Sequence, residues 1–184
     1  MSIVESKHCY THHCNMAASC TPSTFSPALF GGEILAVEAN LVVNITASIP
    51  SSVRMNQPSI DVENASFCNV TVTYTHPGQY DEIHVETWLP LENYNGMLHA
   101  FGGGGWEAGR NFLSEPMMVG AMGEGFATTT TDAGLVGGPT APWALLSEGN
   151  SDIIGIRNFG SVTLNDKVFP ENQSTIRFTL NHNH

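Results

Sequence analysis

The chain has 184 residues, 41% of them hydrophobic and 12% charged, which fits a globular domain and excludes a disordered one. Seventeen acidic residues against six basic ones give a formal net charge of −11. This charge repels phosphate backbones and anionic lipid surfaces, so neither nucleic acid nor a membrane is expected as a partner. No long apolar run and no complete signal peptide is visible in the sequence, so no membrane anchor is predicted.

The start of the chain is rich in imidazole and thiol groups, the residue types that zinc prefers. They are His8, Cys9, His12, His13 and Cys14. Their spacing matches no structural zinc pattern, and no second ligand pair follows at a fixed distance. We therefore predict a disordered leader over residues 1–19 and assign no metal there.

Two other features indicate an oxidising, extracellular compartment. Cys20 and Cys68 lie in ordinary globular sequence, where such a compartment favours a bridge, and we predict a disulfide between them. Four glycosylation sequons begin at Asn44, Asn64, Asn69 and Asn172. Secretion is therefore predicted, with chance sequons in a chain rich in Thr, Ser and Asn as the alternative.

The first predicted elements are strands. Residues 33–46 are rich in β-branched side chains, and residues 67–75 alternate between apolar and polar positions. Residues 83–89 alternate again after a Pro-Gly turn. Residues 97–101 form a short continuous apolar run, which is typical of a strand covered on both faces.

Helices alternate with strands in the later part of the chain. Pro116 fits the first position of a helix that Gly123 and Gly125 close. Residues 126–131 are predicted to form a strand, and residues 152–168 a helix. This order predicts an α/β fold with a mixed to mostly parallel sheet and crossover helices.

Four consecutive glycines, residues 102–105, follow the apolar run. A phosphate-binding P-loop is excluded because no Lys-Ser/Thr follows the last glycine. A dinucleotide fingerprint fits better, since Gly103, Gly105 and Ala108 satisfy its spacing and Asp132 ends the next strand. However, the predicted helix begins about ten residues later, too far for its N–H groups to meet a pyrophosphate.

The third use of such a loop is an oxyanion hole. Exposed backbone N–H groups there stabilise the negative oxygen that develops when a nucleophile attacks an ester carbonyl. In α/β-hydrolases one donor comes from the loop after the third strand. The candidate donors are Gly103, Gly104, Gly105 and Trp106.

Seven segments carry a resemblance to a known family: CTPS from Cys20, GEILAVEAN from Gly32, WLP from Trp88, GGGGW from Gly102, TTDAG from Thr130, WALL from Trp143 and NFGSVTLND from Asn158. In this order, between residues 20 and 167, they resemble the fungal tannase and feruloyl esterase family. The resemblance implies a secreted α/β-hydrolase that cleaves gallate or hydroxycinnamate esters, with a small phenolic ester as its partner. It implies a Ser-Asp-His triad with the serine in a Cys-Ser-x-Gly-Gly elbow, and a lid that often holds calcium.

This sequence departs from the family pattern, because it contains neither a Cys-Ser dipeptide nor a G-x-S-x-G motif. His76, His84 and His99 precede any elbow, whereas α/β-hydrolases place the catalytic histidine last. Ser161 lacks the second glycine, so none of these residues is expected to inherit a triad role. We predict the N-terminal part of the domain over residues 20–167, truncated before the elbow, an unrelated tail over residues 168–184, and an inactive fragment without a cofactor.

Two alternatives remain open. A noncatalytic module could use Trp88, Trp106 and Trp143 to stack on phenolics or sugars. A dinucleotide-binding domain is the other alternative. The sequence favours no particular oligomeric state.

Overall fold

The computed structural model describes residues 19–54, 57–135 and 143–166. Its main sheet has five strands in the order β1-β2-β3-β5-β4. These strands are β1 (Glu33–Ile49), β2 (Ile60–Thr75), β3 (Ile83–Pro90), β4 (Leu98–Ala100) and β5 (Ala127–Thr131). A second sheet pairs β6 (Leu145–Ser147) with β7 (Asn150–Ser151). The helices are α1 (Ser114–Gly123) and α2 (Ile153–Arg157), and short 3-10 turns lie at Pro22–Thr24 and Ser51–Val53.

Strands β1 and β2 form a long antiparallel ribbon that extends beyond both predicted segments. Its register shifts where Asn44 and Asn64 adopt left-handed backbone, with φ of 59° and 52°. An extra residue at a bulge breaks the two-residue period on which strand prediction depends. The sequence pattern therefore located the regular part of each strand and missed the remainder.

The core lies on the inward faces of β2 and β3. Val70, Val72 and Tyr74 are buried, as their alternation predicted, and Ile83 and Val85 of the next strand join them. At the other edge of this core, the predicted Cys20–Cys68 disulfide is present, with the two Cα atoms 5.6 Å apart. The bridge attaches the entry segment to the middle of β2.

The sheet is mixed, as predicted, but the expectation of a mostly parallel sheet is wrong. Among the described strands, β1–β2, β2–β3 and β3–β5 are antiparallel pairs, and β4–β5 is parallel. The connections from β1 to β2 (residues 50–59) and from β2 to β3 (residues 76–82) are shorter than the crossover of about a dozen residues or more that parallel strands need. The connection from β4 to β5 carries α1, and it is the crossover that allows the parallel pair.

Strand β4 is not covered on both faces, so that prediction is also wrong. His99 and Ala100 are exposed, and Met97 just before the strand is 54% exposed. In the described part of the chain, β4 pairs with β5 alone and occupies the edge of the sheet. A short apolar run does not distinguish a central strand from an edge strand.

Helix α1 begins at Ser114, two residues before the predicted start. The Oδ1 atom of Asn111 accepts hydrogen bonds from the N–H groups of Leu113 (2.9 Å) and Ser114 (3.2 Å). Pro116 therefore lies within the first turn, where its missing N–H has no intrahelical partner to lose. The helix ends at Gly123, as predicted.

The helix predicted over residues 152–168 is helical but irregular. The Asp152 carboxylate accepts from the Gly155 N–H (3.0 Å) at the start of α2. The backbone then widens into a π-type turn over Asn158–Val162 and stays helical to residue 166. The predicted leader lies outside the described residues apart from Ser19, and the tail lies wholly outside them. No helix of the described part is long and apolar enough to span a membrane.

Candidate functional site

The glycine loop leaves the sheet at the carboxyl end of its parallel strand pair. The Phe101 N–H donates to the Thr129 carbonyl (2.7 Å) as β4 ends. Residues 102–106 then run exposed over the surface. Ligands of open α/β sheets bind outside the carboxyl ends of their strands. The loop therefore lies where a substrate of such a sheet is expected.

The N–H groups of residues 103–106 are not used by the fold. Among the described residues, none of these four groups has a hydrogen-bond acceptor, although the Gly104 carbonyl accepts from the Glu107 N–H (3.2 Å). Gly105 has a φ of 64°, which favours glycine. A Cβ at Gly103 would overlap the backbone carbonyls of Glu107 and Ala108. Glycine is thus required at two positions, and the loop presents unpaired donors to solvent.

A charged network anchors the segment that follows the loop. Arg110 has left-handed backbone with a φ of 55°, and its N–H donates to the Oγ1 atom of Thr130 (3.0 Å). Its guanidinium donates through Nε to Glu86 (3.0 Å) and through Nη1 to Asp132 (3.4 Å). The loop is therefore tied to both β3 and β5. The role of Arg110 was not predicted from the sequence, because its partners lie at least twenty residues away in the chain.

The carboxylate of Asp132 is engaged by the fold. It accepts from the Nδ1 (2.7 Å) and N–H (3.0 Å) of His84, from the Gly134 N–H (2.9 Å), and from Arg110. These hydrogen bonds within the protein use the carboxylate that a ribose hydroxyl would have to bind. Since α1 also begins at Ser114 rather than at the glycines, this geometry opposes the dinucleotide reading.

A second histidine joins the sheet to the last helical segment. His76 Nδ1 lies 2.7 Å from Asp81, and its Nε2 lies 3.1 Å from Asp166. Burial raises the pKa of the Tyr74 hydroxyl, and the neighbouring Asp166 raises it further. Burial also raises the pKa of Asp81, but hydrogen bonds from His76, Asn158 and Thr75 outweigh burial and lower this pKa below its ordinary value. The network joins the end of β2 to the last helical segment.

The three tryptophans separate into two environments. Trp88 is buried and stacks on Phe67 with ring centroids 4.5 Å apart. Trp106 is 71% exposed, and its carbonyl accepts from the Trp143 indole N–H (3.1 Å). Phe159 completes an aromatic cluster, 5.0 Å from Trp143 and 6.1 Å from Trp106. The cluster lies beside the glycine loop, and sequence reasoning missed Phe159.

Three cavities surround this region. The largest, about 490 Å³, lies against α1 and is bordered by Trp88, Glu86 and Arg110. A second, about 300 Å³, is bordered by Phe101, Gly102 and Gly103 on the loop side and by residues of α1. A third, about 120 Å³, is bordered by Trp106, Glu107, Arg110 and Trp143. The glycine loop and its flanks therefore adjoin both smaller cavities.

The predicted glycosylation sites differ in accessibility. Asn44 and Asn64 are exposed at the paired bulges of the β1–β2 ribbon. Asn69 is half-buried on β2, and its Nδ2 atom donates to Glu86 (2.9 Å). Its side chain is therefore committed inside the folded sheet. Asn172 lies outside the described residues.

Metal ligation finds no support in the described part of the chain. No group of three or more His, Cys, Asp or Glu side chains there could hold a metal ion. The calcium that the family resemblance implies belongs to the family's lid and not to the segment that residues 20–167 resemble, so this finding does not bear on it. The cluster between His8 and Cys14 lies outside the described residues.

A mixed sheet with one β-α-β crossover, and a glycine loop at the carboxyl end of its parallel strands, defines a partial α/β fold. Tannin acyl hydrolase from Aspergillus niger has a similar fold, with a TM-score of 0.70 and 24% sequence identity. The match covers 90% of this chain and 30% of that structure.

Sequence comparison agrees with the fold. A probable feruloyl esterase from Arthroderma benhamiae is 36% identical over 143 residues, which cover 76% of this chain and 25% of that protein. No family model matches the chain. These findings confirm the resemblance to the tannase and feruloyl esterase family, with this chain spanning about a quarter of the length of its curated relative.

Proposed function

We propose that this chain is part of a carboxylic ester hydrolase of the tannase and feruloyl esterase type, acting on gallate or hydroxycinnamate esters. The observation that carries the proposal is the set of unpaired N–H groups at residues 103–106, at the carboxyl end of the parallel strands. The sequence relationship to a probable feruloyl esterase supports the ester substrate class.

The proposed role of the loop is electrostatic. When a nucleophile attacks an ester, the carbonyl oxygen becomes negative, and fixed N–H donors stabilise that charge without having to reorient. The cavity of about 300 Å³ beside Gly102 and Gly103 offers room for the ester group. Gly103 brings the backbone close to the segment at Glu107 and so fixes the shape of the loop.

The 184-residue chain by itself is not expected to hydrolyse esters. Its sequence contains no Cys-Ser dipeptide to form the family's elbow. His76 and His84 bind carboxylates, and the His99 ring stacks on Phe101. Oxyanion donors without a nucleophile and its base have nothing to stabilise. Purified chain should show no turnover of methyl gallate or methyl ferulate above the buffer rate, and measurable turnover would contradict this expectation.

A chimera tests the loop directly. Residues 20–166 would replace the matching segment of the Arthroderma relative, and hydrolysis of methyl ferulate would be measured. Gly103→Ala keeps the N–H group, but its methyl group would overlap the carbonyls of Glu107 and Ala108 and displace the loop, so kcat should fall by roughly a hundredfold, the scale of losing one oxyanion donor. Gly160→Ala is the matched control, because Gly160 lies outside the loop and a Cβ there meets nothing within 4 Å. A folded chimera without activity, or equal rates for both variants, would reject the proposal.

We also propose that the protein is secreted and needs no cofactor from this segment. The Cys20–Cys68 disulfide supports secretion, since such bridges persist in oxidising compartments. Expression in a fungal secretory host should yield oxidised protein in the medium. Retention of the reduced chain inside the cells would contradict secretion.

A further inference from the structure

Strand β1 is the outer strand of the main sheet on the side opposite β4. One of its edges pairs with β2, and no strand of the described part of the chain pairs with the other edge. The strand extends over 17 residues, Glu33–Ile49, and contains no Pro, Gly, Lys or Arg. Unpaired edges of this kind are templates for further strands, and natural proteins usually block them.

The composition of β1 suits pairing with a second copy of the same strand. Three of its large apolar side chains are exposed: Leu35, Leu41 and Val43. An antiparallel second copy centred on Leu41 would place Glu38 opposite Asn44. Glu33 would lie opposite Ile49, so no like charges would face each other across the contact. Such a contact is two-fold symmetric and therefore closes as a dimer.

The glycosylation sequon at Asn44 lies within this edge strand. Asn44 is exposed and has left-handed backbone, at the register shift between Val42 and Ile45. Its N–H donates to the Oγ atom of Ser66 on β2 (3.3 Å), whereas its side-chain amide has no hydrogen-bond partner among the described residues. The fold therefore uses the backbone of Asn44 and leaves free the amide nitrogen to which a sugar is attached.

We propose that an oligosaccharide on Asn44 keeps a second copy of this chain from pairing with the free edge of β1. The inference rests on the proposed secretion, because the sugar is added in the secretory pathway, and it does not rest on ester hydrolysis. A further strand would have to lie about 4.8 Å from β1, and a bulky sugar on Asn44 obstructs that approach. In the two-fold pair each sugar would face Glu38 of the other copy, so one dimer would meet the obstacle twice.

The sequon at Asn64 provides a matched comparison within the same ribbon. Asn64 is also exposed, also has left-handed backbone, and also donates its N–H across the ribbon, to the Oγ1 atom of Thr46 (3.1 Å). It lies on β2, however, which is on the other side of β1 from the free edge. A sugar on Asn64 should therefore add the same bulk and solubility without obstructing that edge.

Removal of one sugar at a time tests the proposal in the 184-residue chain. Wild type, Asn44→Gly and Asn64→Gly would be secreted from a eukaryotic host, since glycine suits the positive φ at both positions. Analytical ultracentrifugation should give a single-chain mass for wild type and Asn64→Gly, and a doubled protein mass for Asn44→Gly. Wild type from the bacterial periplasm, which forms disulfides but adds no such sugar, should also have the doubled mass, and this sample contains no substitution that could disturb folding.

A second substitution tests whether β1 forms the contact. Val43 is exposed on β1, and lysine on an edge strand opposes the addition of a further strand. Val43→Lys in the Asn44→Gly background should therefore restore the single-chain mass. Leu146→Lys in the same background is the matched control, because Leu146 is an exposed apolar residue of β6 in the second sheet, and it should leave the mass doubled.

The other outcomes would overturn the proposal. Mass spectrometry that finds no sugar on Asn44 of the secreted wild type would remove its basis, and so would a single-chain mass for the sugar-free chain. Doubling in Asn64→Gly as well would show a general effect of sugar on solubility. Assemblies larger than two copies, or equal effects of Val43→Lys and Leu146→Lys, would place the contact away from β1. None of these measurements involves ester hydrolysis, so this proposal and the chimera fail independently.

Discussion

Adjacent glycines in the loop are glycine for different physical reasons. Gly103 lies so close to the carbonyls of Glu107 and Ala108 that no side chain fits, whereas Gly104 faces open space. The sequence predicts a turn or loop over the whole run, because glycine clusters are typical of turns and loops. The sequence does not show which of the four glycines tolerates a side chain. The crowding at Gly103 comes from the Glu107 and Ala108 carbonyls, which approach it only in the folded loop.

The two glycines should also differ in their effect on stability. In the 184-residue chain, Gly103→Ala should lower the free energy of unfolding by about 1–3 kcal/mol, because the new methyl group forces backbone to shift. Gly104→Ala should change it by less than about 1 kcal/mol. Urea denaturation followed by circular dichroism measures both, and a Gly103→Ala chain as stable as wild type would contradict the described close approach.

The lowered pKa of Asp81 has a consequence for acid stability. A carboxylate whose pKa is lower in the folded state than its ordinary value of 3.8 stabilises the fold above that value. The contribution is lost as the pH falls through the folded pKa. The melting temperature of Asp81→Asn should therefore lie below that of wild type at neutral pH, and the difference should shrink below about pH 4.

A control separates this effect from general acid unfolding. Asp61 is exposed on β2 and lies outside this network, so Asp61→Asn should keep the wild-type melting temperature at neutral pH. A difference between Asp81→Asn and wild type that stays constant down to about pH 2 would show that Asp81 does not titrate as described.

Residues that act through contacts distant in sequence escaped prediction. Arg110 meets Glu86 and Asp132, and Phe159 meets Trp106, only after the sheet has formed. Cys20 and Cys68 were predictable because few cysteines lie in globular sequence and the compartment restricts their chemistry. Residue type and spacing therefore predicted the bridge and the loop, while the partners of the loop required the fold.

At the scale of elements, the local alternation of apolar and polar residues predicted where the strands lie but not how they pair. The burial of β2 alternates over residues 68–75, and that of β3 alternates over residues 83–86 before its last four residues are all buried. Parallel or antiparallel pairing depends on the path of each connection, and one crossover through α1 is compatible with several strand orders. The bulges at Asn44 and Asn64 hid the full length of β1 and β2.

The disulfide joins the entry segment to β2 across 48 residues. In the chain-entropy description, closing a loop of that length in the unfolded state contributes about 4 kcal/mol. The double variant Cys20→Ala/Cys68→Ala should unfold at a correspondingly lower urea concentration than the oxidised wild type. Added reductant should destabilise the wild type and leave the double variant unchanged, and equal sensitivity of both proteins to reductant would contradict the assignment.

At the scale of the whole molecule, the sheet ends in an open edge. β4 pairs with β5 alone in the described chain, and unpaired strand edges attract further strands. Large apolar side chains are exposed elsewhere on the described surface, among them Phe30, Met97, Phe112, Leu146 and Ile153. The open edge at β4 is a place where another strand or partner can pair.

This exposed surface should be measurable in the 184-residue chain. We expect it to bind a hydrophobic dye such as anilinonaphthalene sulfonate and to unfold over a broad temperature range. Leu146→Glu removes one exposed apolar side chain, so it should lower dye binding without changing the calorimetric transition. A sharp transition without dye binding would contradict the expectation.

The hydrogen bond from Asn69 to Glu86 has a consequence for maturation. A sugar attached to the Asn69 nitrogen would have to fit beside Glu86 in the half-buried surface of the sheet, so modification during synthesis would hinder folding. Asn44 and Asn64 face solvent and impose no such choice. In a eukaryotic secretory host, mass spectrometry of the exported protein should therefore find sugar at Asn44 or Asn64 and an unmodified Asn69. Whether the sheet forms before or after Asn69 meets the glycosylation machinery would then decide which molecules are exported.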